Sequence, residues 1–399
     1  MRVVIAGGGI AGLTAALAFA RNGHEVRLLE QADRFEEIGA GLQISPNALK
    51  ALGALELDQK LLAIADRPQS LDMRSGLSGT TIFSLPMGAE GALRYGSPYV
   101  HVHRPALLAI LEESTRQFPG ISFEFGARVE GYRASADRPT ALVGPGREVE
   151  GDLLIGADGV RSALRRQMIG PDAPRFTGCR AWRFTVPVST VDPLFFKSAA
   201  TIWVGPHRHL VTYRIAGGRM LNVVAVTEGG ADASETWVAE GDRSELSTEF
   251  ETWVEPIRAL VAESPRCHVW GLFDRAPLNT WSDGRVVLIG DAAHAMPPFQ
   301  AQGAAMGVED AYALSRCVEL HSGDVVAALT RFVALRRDRT ARMLRSSRFN
   351  QKLFHLSSGP VRFGVYGLLR AADKLVPGFV RSRQDWIYDY DVTQAFKDG

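Results

Sequence analysis

The chain has 399 residues, enough for two domains or one large elaborated one, and its 45 basic against 44 acidic side chains leave a formal charge of +1. With 46% hydrophobic and 22% charged residues it has the composition of a soluble globular protein, and the charge balance argues against a general nucleic-acid surface. Cys179, Cys267 and Cys317 lie far apart and form no CxxC pair, which disfavours a disulfide framework or a metal site and suits a reducing cytoplasm. There is no signal-peptide pattern and no run of roughly eighteen apolar residues, so no stable membrane insertion is expected.

Residues 2–6, RVVIA, predict a short strand. Gly7-Gly8-Gly9-Ile10-Ala11-Gly12 follows, then a helical stretch that stops at Gly23, then a second strand, EVRLLE, ending on Glu30. This is a GxGxxG turn in strand–helix–strand context with an acid roughly twenty positions on. Gly7 allows the tight turn, Gly9 lets backbone approach a pyrophosphate, and Gly12 permits close helix–strand packing. Glu30 can accept hydrogen bonds from a ribose hydroxyl. Ala11 and Gln31 sit beside these positions and join the candidate nucleotide site. The motif by itself leaves NAD and FAD both open.

Residues 36–49 read as a glycine-rich loop and a helix start, with Ser45 or Asn47 as caps, and 67–96 as polar turns with short extended pieces. HVHRPALLAILEESTRQ, 101–117, predicts an amphipathic helix with Arg104 at its opening, readable as a solvated side chain or as an anion ligand. Strands follow at ISFEFG and ARVEGYRA. DLLIGADGVRSALRRQM, 152–168, is again an apolar strand, ending in Gly-Ala-Asp-Gly before a basic helix, which puts Asp158 and Arg161 at a second strand end.

From about 179 to 280, alternating segments such as RAWRFTVPV and HLVTYRIAG predict an antiparallel sheet with one helical piece around 244–262. The stretch 286–314, VVLIGDAAHAMPPFQAQGAAMGVEDAYAL, opens as a buried strand capped by Gly290-Asp291, passes through a proline loop and starts a helix after Gly303. A carboxylate at a strand end beside a helix amino terminus marks a ligand site, because free N–H groups and the helix dipole meet there. The tail is helical, and 331–354 is expected to carry its basic residues on exposed positions.

GGGIAG with Glu30, GADGVRS and GDAAHAMPPFQAQGAAMGVEDA, in that order, resemble the flavin-dependent aromatic hydroxylases that use one dinucleotide-binding domain, a family that includes para-hydroxybenzoate hydroxylase, salicylate hydroxylase and 6-hydroxynicotinate 3-monooxygenase. The likeness runs from residue 1 to about 320, and the terminal DWIYDYDV resembles the salicylate hydroxylase branch. It implies an α/β fold: a Rossmann-like FAD-binding domain (1–178 and 281–330), an inserted antiparallel β-sheet substrate domain (179–280) and a C-terminal helical region (331–399). It also implies FAD as cofactor, NADH or NADPH and O2 as co-substrates, and hydroxylation of a small aromatic compound through a flavin C4a-hydroperoxide.

By the same resemblance Glu30 holds the adenosine ribose, Val129 offers its backbone to the adenine, and Arg104 reaches the ribityl-phosphate region. Asp158 and Arg161 lie near the pyrophosphate, and Asp291 bonds the ribityl chain. Gly303 and Ala304 present N–H groups to the pyrimidine edge of the flavin, and Gln43 stands beside it. The helix after Gly303 suits the negative charge of the reduced ring, and Pro297, Pro298 and Phe299 offer an apolar wall that excludes water.

An electrophilic oxygen reacts better with a phenolate than with a phenol, whose pKa is near ~10, so the site should hold a base. On a strand His209 and Tyr213 face the same side, and 6-hydroxynicotinate and 3-hydroxybenzoate hydroxylases carry similar H-x-V-T-Y segments. His209 is the expected base and Tyr213 its hydrogen-bond partner or relay. His207 reads as a turn residue, His294 as loop support, and Arg183 and Arg214 as candidate carboxylate ligands. A halogenase is disfavoured because Phe184 stands where the second Trp of WxWxIP would be. A hydroxylase of a larger prenylated quinone precursor or polycyclic aromatic stays open, as does a non-catalytic flavin-binding protein. The stretch LFHLSSGPVRFGVYGLLRAADKLV could line an apolar channel, touch a membrane, or serve as a cover or homodimer contact.

Overall fold

The computed structural model describes residues 1–35, 41–229, 239–264, 266–321, 323–376 and 378–397. Its first layer is a six-stranded sheet in the order β18 (Ser282–Asp283), β19 (Val286–Leu288), β11 (Leu153–Gly156), β1 (Arg2–Ala6), β2 (Glu25–Leu29) and β7 (Ile121–Glu124). Neighbours pair parallel except β18 and β19. A parallel sheet is covered on both faces, which is why β1, β11 and β19 are near-continuous apolar runs. Helix α1 (Ile10–Arg21) links β1 to β2, and α5 (Arg104–Arg116) and α10 (Gly303–Leu320) pack against it. The approach of α10 is close because small residues meet. A Cβ on Gly307 would stand 3.1 Å from the Ala11 Cβ, and one on Gly290 3.0 Å from it.

The second layer is an eight-stranded sheet in the order β16 (Ala239–Gly241), β17 (Cys267–Asp274), β12 (Arg175–Pro187), β15 (Met220–Glu228), β14 (Arg208–Ile215), β13 (Ala199–Gly205), β4 (Ser70–Ser75) and β5 (Thr81–Pro86). Two of its strands therefore come from 70–86, a region read from sequence as turns and short extended pieces. The sequence SLDMRS buries only Met73, so periodicity was too weak to mark it, and pairing with β13 decides the conformation. Helices α7 (Arg243–Glu249) and α8 (Glu255–Ala262) cover one face, over Trp182, Trp203 and Trp253. The other face carries Ala181, Val224 and Val226 and packs on Phe299 and Phe354.

Between the layers, β3 (Gly41–Ile44) pairs with β6 (Val100–His103). The segment expected to be helical from 101 is thus a strand through His103, and the helix starts at Arg104. Strands β8 (Val129–Arg133), β9 (Thr140–Val143) and β10 (Arg147–Glu150) form a small sheet of their own. Helices α2 (Pro46–Ala54), α3 (Asp58–Ile64), α4 (Ala89–Tyr95), α6 (Ala163–Ile169) and α9 (Asp291–His294) fill connections, and α11 (Val325–Phe354), α12 (Gly359–Leu375) and α13 (Phe379–Tyr388) form the tail. Not all of the basic face of α11 is solvated: Arg336 is fully buried and Arg339 nearly so, because α10 presents two buried carboxylates to them. Among the described residues no helix is long and apolar enough to cross a membrane, and no cluster of His, Cys, Asp or Glu could hold a metal ion. All three cysteines are free and buried.

Candidate active site

A cavity of about 420 Å³ opens between the two sheets and draws its walls from both. From the first layer come Gly9, Ala11, Arg161, Asp291, Gly303 and Ala304, and from the connections Gln43, Arg104 and Pro298. From the second layer come Arg183, His209, Tyr213 and Trp270. Gly7, Gly12, Glu30, Gln31, Val129 and Asp158 are not part of the lining.

The glycine turn divides into supports and an open edge. A Cβ on Gly7, whose φ is +101°, would lie 2.4 Å from the Ala157 carbonyl oxygen, and one on Gly12 would lie 1.9 Å from the Gly7 oxygen. At Gly9 and Gly303 a Cβ would meet nothing within 4 Å. The Glu30 carboxylate accepts from Gly8 N at 2.6 Å and Ala32 N at 2.9 Å, which fixes it at the end of β2 with lone pairs to spare. Ala127 N donates to the Glu30 carbonyl at 2.8 Å, bringing the chain just before Val129 to the same corner, while Gln31 is exposed. Asp158 Oδ2 accepts from Ala163 N at 2.8 Å, so this acid caps α6. Its Oδ1 is buried without a partner, and burial holds the carboxyl above its ordinary pKa. Open glycine edges, the free N–H groups of the first turn of α10, and an orphaned acceptor together fit a dinucleotide with hydroxyl and phosphate groups.

A buried ionic network fixes this side, and of its titratable members only His294 was picked out from sequence. Asp310 accepts from Gly290 N at 3.0 Å and Arg336 Nε at 2.8 Å, and lies 2.5 Å from His294 Nε2. Glu309 accepts from Arg339 Nε at 2.8 Å and Asn47 Nδ2 at 2.6 Å and pairs with Arg336 at 2.6 Å. Burial opposes ionisation of Asp310, yet His294 and Arg336 hold its carboxyl down at about 2. Two adjacent acids inside the otherwise apolar AAMGVEDAYAL were the available signal. Their partners on α11 had none.

On the sheet side β14 alternates as period two requires. His209, Val211 and Tyr213 face the cavity, while Leu210 and Thr212 turn to the helices, where Thr212 accepts from Trp203 Nε1 at 3.1 Å. Arg214, next to Tyr213, points away and donates to the Phe196 carbonyl at 3.0 Å. Arg183 remains in the cavity, its guanidinium 5.5 Å from the Trp270 ring centre. His209 is 3% exposed and packs against Phe299 and Phe354. Burial, with His355 beside it, holds the imidazole well below its ordinary pKa, so it is neutral at pH 7. Burial pushes the Tyr213 phenol up to about 12. Gln43 accepts from the Tyr99 hydroxyl at 2.6 Å.

Residues 1–346 match the family model described as an FAD binding domain. The chain is 35% identical over 394 residues to 3-hydroxybenzoate 6-hydroxylase of Polaromonas naphthalenivorans (strain CJ2), covering 98% of this chain and 96% of that one. It is 33% identical over 353 residues to 6-hydroxynicotinate 3-monooxygenase of Bordetella bronchiseptica, covering 88% and 91%. Among solved structures it superposes on a variant of Klebsiella pneumoniae HpxO complexed with FAD, with TM-score 0.85, 25% identity and coverage of 98% and 99%. The chain belongs to the FAD-binding domain family and is a flavin-dependent monooxygenase.

Proposed function

We propose that this enzyme hydroxylates a small aromatic ring carrying a hydroxyl and a carboxylate, with NADH or NADPH as reductant and O2 as oxidant. One observation carries the reading: His209, Tyr213 and Arg183 on the second sheet line the same cavity as Gly9, Asp291 and Gly303 on the first. The two relatives are named for 3-hydroxybenzoate and 6-hydroxynicotinate, and what those rings share is one hydroxyl and one carboxylate. Arg183 supplies the bidentate cation for the carboxylate. His209, neutral and unsolvated, takes the hydroxyl proton, and Tyr213 donates to the resulting oxygen.

FAD, when bound, supplies the activated oxygen. Glu30 and the Ala127–Val129 corner hold its adenosine end, Arg104, Arg161 and Asp291 its phosphate and ribityl atoms, and the first turn of α10 its pyrimidine edge. Pro298, in the cavity wall, and buried Phe299 keep water from the reacting atoms. The single GxGxxG leaves the reduced nicotinamide to bind without a Rossmann domain of its own. Three buried thiols suit a cytoplasmic location.

The test is NADH and NADPH oxidation by the FAD-loaded protein against a panel of hydroxybenzoates, salicylate and hydroxypyridine acids, with products identified. Stimulation with a hydroxylated product is expected. A yellow protein that none of them stimulates is a flavin-binding protein of another kind.

A further inference from the structure

We infer that His209 does not act alone: a hydrogen-bonded chain, His209–His355–Glu228, with His207 holding the outer carboxylate oxygen, carries the substrate's hydroxyl proton from the cavity to the protein surface. The inference rests on the reading of the cavity as a site for a ring hydroxyl. His355 closes the carboxyl end of α11 and is buried. Its Nε2 lies 2.7 Å from His209 Nδ1 and its Nδ1 lies 2.9 Å from Glu228 Oε1. The other oxygen of Glu228 lies 2.7 Å from Nδ1 of His207, whose side chain is 53% exposed. Backbone bonds hold the members together: His207 N donates to the His355 carbonyl at 3.3 Å, and Glu228 N to the His207 carbonyl at 2.9 Å.

The donor directions follow from the chemistry of the last acceptor. Hydrogen bonding from His355, then His207, outweighs burial and holds the Glu228 carboxyl down at about 2, so at neutral pH it is an acceptor only. His355 Nδ1 therefore carries a proton. A neutral His355 then has a bare Nε2, which accepts from His209 Nδ1–H, and the free lone pair of His209 is left on Nε2 for the substrate.

This order answers a difficulty in the simpler account. A desolvated imidazole between two phenylalanines is a poor base, because its cation would sit in an apolar pocket. In the chain, the substrate O–H bond breaks as an N–H bond forms at His209 Nε2, and the Nδ1 proton of His209 passes to His355 Nε2. No electrons change hands. The positive charge ends on His355, beside the Glu228 carboxylate. Its Nδ1 proton passes to Oε1 of Glu228, whose side chain is 37% exposed and releases it to solvent, while His207 Nδ1–H stays bonded to the other oxygen. The other titratable groups at hand do not compete. Cys179, opposite Glu228 in the sheet register, is pushed up to about 12 by burial and the Glu228 charge. Arg208 is paired with Glu249 at 3.0 Å.

Glu228→Gln and His355→Gln, compared with His209→Gln and wild type as holoenzymes, test the chain by two readouts. Long-range 1H–15N spectra of 15N-histidine-labelled protein need no substrate, and should show His209 and His355 of the wild type both protonated at Nδ1. With 3-hydroxybenzoate as probe, Glu228→Gln and His355→Gln should lower kcat about 10²-fold at neutral pH. The rate should recover as pH rises toward the phenol pKa near ~10, with the flavin spectrum unchanged. A His209 protonated at Nε2 overturns the chain. So does a wild-type pH profile in both variants while His209→Gln is slow. If wild type itself turns over no aromatic acid, the functional reading fails, and the spectra still decide the chain.

Discussion

Asp310, two turns into α10, accepts a hydrogen bond from the backbone N–H of Gly290 at 3.0 Å. Through it the helix proposed to face the flavin is fastened to the loop that presents Asp291. Asp310→Asn leaves Arg336 buried with half its counter-charge and replaces an acceptor to Gly290 by an amide. The expected cost is about 3–5 kcal/mol, read as a lower urea midpoint, together with weaker FAD retention on dilution. A loss under 1 kcal/mol would show the network to be incidental.

The same carboxylate sets an acid limit. The Asp310 carboxyl titrates at about 2 in the folded protein against an ordinary 3.8, so between those values the unfolded chain binds more protons. Its contribution is complete above the unfolded pKa and drains as pH falls from near 4 toward 2. His209 acts over a higher range: held well below 6.5 when folded, it lowers stability progressively below pH 6.5. Chemical denaturation at pH 7, 5 and 3 should show stability falling at each step, and the lower step should flatten in Asp310→Asn.

Gly12→Ala brings a methyl group to 1.9 Å from the Gly7 carbonyl oxygen, a distance only backbone movement can relieve. The turn that Gly9 presents to the cavity moves with it. The variant is expected to purify folded but colourless, with FAD affinity down at least about 10²-fold, equivalent to ~3 kcal/mol. Flavin absorbance after gel filtration reads this directly.

The parts of this molecule visible in its sequence are the local ones. A glycine turn, an Asp-Gly strand end and a period-two strand each announce themselves within a dozen residues, so Gly9, Arg161, His209 and Tyr213 could be picked out and the structure brings them to one cavity. Partners fixed by tertiary packing left no such trace. His355 meets His209 from 146 residues away, at the end of a helix whose composition reads as solvated. Arg336 looks like any other basic residue of that helix until the acids of α10 are placed against it. The strand at 70–75 owes its conformation to β13 rather than to its own pattern.

Arg183 is assigned to the substrate carboxylate, so its removal should separate substrates by charge. Arg183→Met keeps the stem that packs by Trp270 and loses the fork. KM for 3-hydroxybenzoate should rise about 10²-fold, the ~3 kcal/mol of a charged hydrogen-bonded pair, while oxidation stimulated by uncharged phenol should change little. Equal losses for both would place Arg183 in the fold rather than in recognition.

The proposal that this flavoprotein puts an oxygen atom on a hydroxylated aromatic acid is tested most directly by isotope. FAD-loaded protein is given NADH or NADPH, the panel acid that best stimulates oxidation, and 18O2, and the product is weighed by mass spectrometry. The account predicts a ring-hydroxylated product containing one 18O atom. Recovery of the acid unchanged, with all consumed oxygen appearing as hydrogen peroxide across the whole panel, would contradict it.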